Sequence, residues 1–429
     1  MAQHQCDRRS LLAATAAAAV GPRGAAAQGT GQGTSQGAAS PRAGIDTVLR
    51  QAVEAGDVPG VVAMAATERG VFYEGAFGTR NLSTQVPMTV DTVFRIASMT
   101  KAVTSVAAMQ LVEQGRLQLD SPVPDIDPAL SSPQVLEGFD ASGAPRLRPA
   151  RQRITLRHLL THTAGFGYEQ WDANLARYVP ATGMPSTSTG RVASLRMPLV
   201  FEPGERWEYG INIDWVGRVV EETSGKALDA YFRDHIFGPL GMRETGYVTT
   251  PEQRARQTNF HQRQADGSLQ AQPLETPFTP EFWPGGGGLY STASDYMTFL
   301  QALLHEGSHN GARILRPETV ALMNRNHIGA IEAGILKTTN PARSTDVDFF
   351  PRQSLKWGLA YMLNAEQGPN GRSAGSLTWA GLYNTHYWID PTRRVAAVIM
   401  TQILPFGDER MMRTYGRYER AVYDLLRAA

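Results

Sequence analysis

Strand-patterned runs stand near both ends of this chain and helix-patterned runs fill its middle, and this distribution limits the possible folds more than any other feature. Near the front, Val58-Pro-Gly-Val-Val-Ala-Met-Ala-Ala66 and Gly70-Val-Phe-Tyr-Glu-Gly-Ala-Phe77 flank a Glu68-Arg-Gly turn and read as two strands. A helical pattern over Ile45–Ala55 precedes them. Near the back, Trp357–Leu363, Ser376–Leu382, Thr385–Asp390 and Val395–Met400 read as four more strands, and a helix from about Glu409 to Arg427 ends the chain. The two sets can share a sheet only if the chain ends meet. The expectation is one α/β domain built from 43–95 and 350–429, with 96–349 as a mostly helical inserted domain carrying loops.

Residues 1–27 read as an export signal. Asp7-Arg8-Arg9-Ser10-Leu11-Leu12 opens an alanine-rich apolar run to Val20, and Ala25–Ala27 offers a small-residue cleavage site. The paired arginines point to the twin-arginine route, hence to a periplasmic or secreted bacterial protein. The apolar run is shorter than the roughly 20 residues of a spanning helix, so no stable membrane anchor is expected. Residues 28–42 are a Gly/Gln/Thr-rich flexible linker. Cys6, the single cysteine, lies in the leader, so the mature chain must rely on a large core for its stability. A net charge of +1 with mixed signs leaves no basic face for nucleic acid, and no obligate protein partner is implied.

The chemistry concentrates at Phe94-Arg-Ile-Ala-Ser-Met-Thr-Lys-Ala-Val103. Ser98 and Lys101 stand at i and i+3 at the head of a helical pattern, so they share a face within side-chain reach. The free N–H groups and dipole of the first turn favour an alkoxide and disfavour a second cation. Of 41 basic residues only four are lysines (Lys101, Lys226, Lys337 and Lys356), which makes a serine three residues before one of them less probable by accident. Ser98 reads as a nucleophile and Lys101 as its base.

Competing motifs fail on context. The nucleophile-elbow pattern Gly-x-Ser-x-Gly occurs around Ser35, inside the linker, and around Ser373, which follows a turn instead of a buried strand. His158 and His162 lie at i and i+4 of a helix expected over Ile154–Phe166, but no glutamate separates them and no third ligand follows, so packed histidines are expected and no metal. Gly285–Gly288 lacks the Gly-Lys-Ser/Thr of a phosphate loop; it reads as backbone passing close to another surface, with Thr292 or Ser294 capping a helix over 294–305. No cofactor is implied.

Together these stretches resemble the serine β-lactamase and penicillin-binding-protein superfamily, in particular the class C β-lactamase-like family VIII carboxylesterases. The resemblance spans nearly all of 44–428 and rests on Ser98-Met-Thr-Lys101, Leu159-Leu-Thr-His-Thr-Ala-Gly165, Pro203-Gly-Glu-Arg-Trp-Glu-Tyr209 and Trp379-Ala-Gly381. It implies an antiparallel sheet flanked by helices. It also implies an acyl-enzyme on Ser98, Lys101 and Tyr209 as the acid/base pair, and the backbone N–H groups of Ser98 and Leu382 as the oxyanion hole. Trp379, Ala380, Gly381, Ile211 and Gly287 would line the substrate site. Two departures bear on substrate: Tyr209-Gly-Ile211 replaces Tyr-x-Asn, and Trp379-Ala-Gly replaces Lys-Thr-Gly. An apolar wall where a cation would hold a carboxylate favours a small neutral ester over a β-lactam. The expected activity is a serine carboxylesterase. A β-lactamase or D,D-peptidase, an acyltransferase or amide hydrolase on the same scaffold, and a binding module without activity remain alternatives.

Overall fold

The computed structural model describes residues 42–274 and 279–428. The expected leader, and the linker apart from its last residue, lie outside the described residues. Eight strands form one sheet: β1 (Gly60–Thr67), β2 (Gly70–Asn81), β3 (Val86–Pro87), β4 (Leu355–Trp357), β5 (Met362–Asn364), β6 (Leu377–Gly381), β7 (Thr385–Asp390) and β8 (Val395–Met400), in the order β4-β5-β6-β7-β8-β1-β2-β3. Every neighbouring pair is antiparallel. The two chain ends meet between β8 and β1, in a register that sets Val62 opposite Met400 and Thr67 opposite Val395.

Both faces of the central strands are covered, and this explains why Val61–Ala66 and Val395–Met400 are apolar throughout instead of alternating. Val61, Ala63, Ala65, Ala397 and Ile399 face a layer made by α1 (Ala43–Glu54) and the C-terminal helix Glu409–Ala428. Their neighbours Val62, Met64, Ala66, Val398 and Met400 face the opposite way, into a larger core that reaches through the helical region. There α2 (Thr100–Glu113) is buried on all sides from Thr100 to Leu111, as expected for a helix with no polar stripe. Among the described residues no helix is long and apolar enough to cross a membrane.

Two local expectations change. The run Trp357–Leu363 is a hairpin and not one strand, with Trp357 paired to Met362. Gly358 permits the break: a Cβ there would stand 2.3 Å from the Met323 carbonyl oxygen, to which Leu359 donates. The helix expected over 154–166 spans only Leu156–Leu160, because His162 turns into the left-handed region (φ 57°) and its backbone and ring bond the Tyr209 turn. The helix after the glycine loop is Ala293–Leu304, capped by Thr292.

Candidate active site

Ser98 sits on a single 3₁₀ turn, Ala97–Met99, that feeds directly into α2. Ala97 has φ 43°, a conformation that costs a residue with a Cβ of order 1–3 kcal/mol and is found where surrounding structure imposes it. Lys101, 2% exposed, has its Nζ 3.1 Å from Ser98 Oγ, 3.2 Å from Tyr168 Oη and 2.6 Å from the Gly286 carbonyl oxygen. The local spacing thus brings serine and lysine into contact, while two distant segments complete the lysine's surroundings.

Tyr209 stands just before the helix Asn212–Ser224. The turn is held from below by His162: its carbonyl accepts from Glu208 N–H, and its Nδ1 faces Gly210 N–H at 3.4 Å and Asn212 Nδ2 at 3.1 Å. Burial, with a further push from Lys101, drives the imidazole well below its ordinary range, so His162 is neutral and its Nδ1 accepts. Gly210 is required here, since a Cβ would come within 2.1 Å of the Phe166 carbonyl. The resemblance pairs Lys101 with Tyr209 as acid and base, which would set the Tyr209 hydroxyl at the amine. Instead the lysine lies over the Tyr209 ring, 4.7 Å from its centroid, and the hydroxyl that meets it is that of Tyr168. Tyr209 Oη accepts from Trp379 Nε1 at 3.2 Å.

β6 brings the remaining expected residues in. Its last residue, Gly381, is pressed against the Ser98 turn so closely that a Cβ would stand 2.3 Å from the Ile96 carbonyl oxygen. Leu382, half-buried, follows directly. Trp379 and Ala380 are each 2% exposed, and Ile211 is fully buried in the core. Trp379 therefore offers its indole N–H to Tyr209 more than an open apolar wall. Gly287 lies over Ala97, with an added Cβ in ordinary contact at 3.9 Å, while Gly285 and Gly286 pack too tightly on Ile213 and Asp214 for any side chain.

Sequence reasoning missed Tyr168 and Asp214. Tyr168 Oη lies 3.4 Å from Asp214 Oδ2, and Gly286 N–H donates to Asp214 Oδ1 at 2.9 Å. An acid in the first turn of a helix reads as a dipole partner, and a tyrosine after Phe166-Gly167 carries no spacing signal. Trp171 and Phe349 are also unannounced; both half-buried, they pack tilted against the rings of Tyr209 (centroids 5.4 Å apart) and Trp379 (5.2 Å). The two histidines expected to be packed and hydrogen-bonded are so in separate places: His158 closes a capping box with Thr155, while His162 supports the Tyr209 turn.

The chain that carries this serine, lysine and tyrosine matches a family model described as beta-lactamase over residues 45–421. The chain belongs to the beta-lactamase family. Within it, the chain is 33% identical over 405 residues to a monacolin J acid methylbutanoyltransferase of Aspergillus terreus, covering 90% of this chain and 96% of the relative. It is 30% identical over 396 residues to a lovastatin esterase of Penicillium rubens, covering 88% and 98%. The structure of simvastatin synthase from Aspergillus terreus, in its LovD6 mutant, superposes with a TM-score of 0.79 at 32% identity, over 92% of this chain and all of that one. The beta-lactamase-like fold expected from the sequence is thereby shown, and the chain is an enzyme of this serine superfamily whose relatives act as acyltransferases and an esterase. Those relatives fit the acyltransferase alternative better than the plain esterase that the sequence reading ranked first.

Proposed function

We propose that the protein transfers an acyl group from an ester, through an acyl-enzyme on Ser98, to an alcohol, with hydrolysis as the competing fate. The observation that carries this reading is the 3.1 Å contact between Lys101 and Ser98, beside the half-buried aromatic rings of Tyr168 and Trp171. Lys101 takes the Ser98 proton as Oγ bonds the acyl carbon. The Ser98 and Leu382 N–H groups supply the oxyanion hole, where each donor is typically worth about 2.7–4 kcal/mol. The leaving oxygen departs with a proton from the lysine or from Tyr209, whose hydroxyl is oriented by Trp379. The incoming alcohol then attacks the acyl-enzyme and the same groups work in reverse. Aromatic walls favour an apolar acceptor over water and over the anionic β-lactams that a lysine at position 379 would hold.

The test is a partition experiment. Purified protein receives a p-nitrophenyl acyl ester with and without a secondary alcohol, and acylated alcohol, free acid and nitrocefin turnover are measured. Acyl transfer exceeding hydrolysis at millimolar acceptor supports the reading. Free acid alone returns the esterase assignment, and full activity in Ser98→Ala removes the nucleophile from the account.

A further inference from the structure

We propose that Asp214 and Tyr168 are a positioning pair that orients the hydrogen bonds around Lys101 so that the lysine lone pair is left for the Ser98 hydroxyl. The inference rests on the Ser98 acyl-enzyme reading above and adds to it how the base is aimed.

Among the described residues Lys101 Nζ bonds three polar groups, Gly286 O, Tyr168 Oη and Ser98 Oγ. To take the Ser98 proton the amine must present a lone pair, which leaves it two N–H groups. The Gly286 carbonyl only accepts, so one N–H is committed to it. The other N–H and the lone pair are then divided between Tyr168 and Ser98, and only one division makes Lys101 a base for Ser98. The Tyr168 proton decides which. Burial, with the nearby Asp214 carboxylate, holds the Tyr168 phenol well above its ordinary range, so it keeps its proton. Both Asp214 oxygens act as acceptors, Oδ1 from Gly286 N–H and Oδ2 from the Tyr168 hydroxyl. With its proton turned to Asp214, the phenol oxygen accepts from Lys101, and the lone pair is left facing Ser98.

These contacts close a ring from Lys101 to the Gly286 carbonyl, from the Gly286 N–H to Asp214, and back through Tyr168. Ser98 is the one partner outside it. When Oγ bonds the acyl carbon and its proton moves to Nζ, the resulting ammonium has three N–H groups for three acceptors already in place, so nothing in the ring must reverse. The proton then leaves with the departing oxygen.

Substituting Asp214→Asn makes the inference testable by sign. The amide oxygen must face the Gly286 N–H, which puts the amide NH₂ against Tyr168 Oη. The phenol proton then turns to Lys101 and competes for the lone pair. The expected result, read as the burst of p-nitrophenol under pre-steady-state conditions, is a loss of acylation rate of about 30-fold, with the half-saturating ester concentration within about twofold. Tyr168→Phe removes the competitor together with one acceptor and should cost only about three- to tenfold. The double variant should recover to the Tyr168→Phe rate, so the second substitution restores activity. A double variant slower than Asp214→Asn, or losses that multiply, overturns the proposal. Should Asp214→Asn not fold, Tyr168→Phe decides: a slower burst at unchanged half-saturation supports the proposal and a wild-type burst overturns it. Ser98→Ala separates the two levels, since an active alanine variant removes the acyl-enzyme itself, whereas an inactive one beside multiplying losses removes only the positioning pair.

Discussion

Gly381→Ala is the substitution on which the proposed oxyanion hole depends most directly. The new Cβ would stand 2.3 Å from the Ile96 carbonyl oxygen and 2.3 Å from Thr385 Oγ1, more than about 1 Å inside ordinary contact. The threonine hydroxyl can rotate away. The Ile96 carbonyl cannot, because it accepts from Met99 N–H at 3.0 Å and so forms part of the turn that presents Ser98. The end of β6 must therefore withdraw by about 1 Å, carrying the Leu382 N–H away from Ser98, and a displacement of that size costs about 10²-fold in rate. The expected outcome is a fall in kcat of about 10²-fold, near 2.7 kcal/mol of transition-state stabilisation, beside a stability loss of about 1–3 kcal/mol from overpacking. Steady-state kinetics with an aryl ester and urea unfolding measure the two separately. Gly60→Ala is the control: its Cβ would meet the Thr79 carbonyl at 2.5 Å within the β1–β2 pair, so it should lose stability and keep kcat. If Gly381→Ala keeps kcat within about threefold of the wild type, the Leu382 N–H is not an oxyanion donor.

Three further outcomes follow from other contacts. Trp379→Phe preserves ring packing but removes the N–H that orients Tyr209 Oη, and kcat should fall about tenfold, the worth of one buried hydrogen bond, with little change in urea midpoint. Arg372, fully buried and bonded through Nε and Nη2 to Glu419, is replaced in Arg372→Met by an apolar chain that strands the carboxylate; unfolding free energy should fall by about 3–5 kcal/mol while Ser98 chemistry in the surviving folded protein is unchanged. His386 is held down at about 3 by burial and the Arg372 guanidinium, against an ordinary 6.5. The unfolded chain binds a proton there that the folded chain refuses, so stability falls as pH drops from 6.5 toward 3. The loss is about 2 kcal/mol by pH 5, and His386→Phe should remove that share from the difference between unfolding at pH 7.5 and at pH 5.

The elements legible in the sequence were those whose cause is local. Ser98 and Lys101 meet because i and i+3 of any helix meet, and the apolar runs at 60–67 and 395–400 read as strands because each residue on them is buried on one face or the other. Tyr209 before a helix and Gly381 at a strand end were visible in the same way, as residues at element boundaries. Where local pattern and tertiary contact disagreed, contact prevailed: Gly358 broke an expected strand against Met323, and His162 left an expected helix to support Gly210.

What the sequence by itself determined is a serine with a lysine beside it, on a helix feeding an α/β core. Only the tertiary structure decided what that lysine touches. Tyr168 lies 67 residues from Lys101 and Gly286 lies 185, and no spacing rule reaches across such distances. Asp214, Tyr168 and the glycine loop become partners because close packing leaves buried polar groups no water to bond, so each had to find its complement in whichever segment the fold brought alongside.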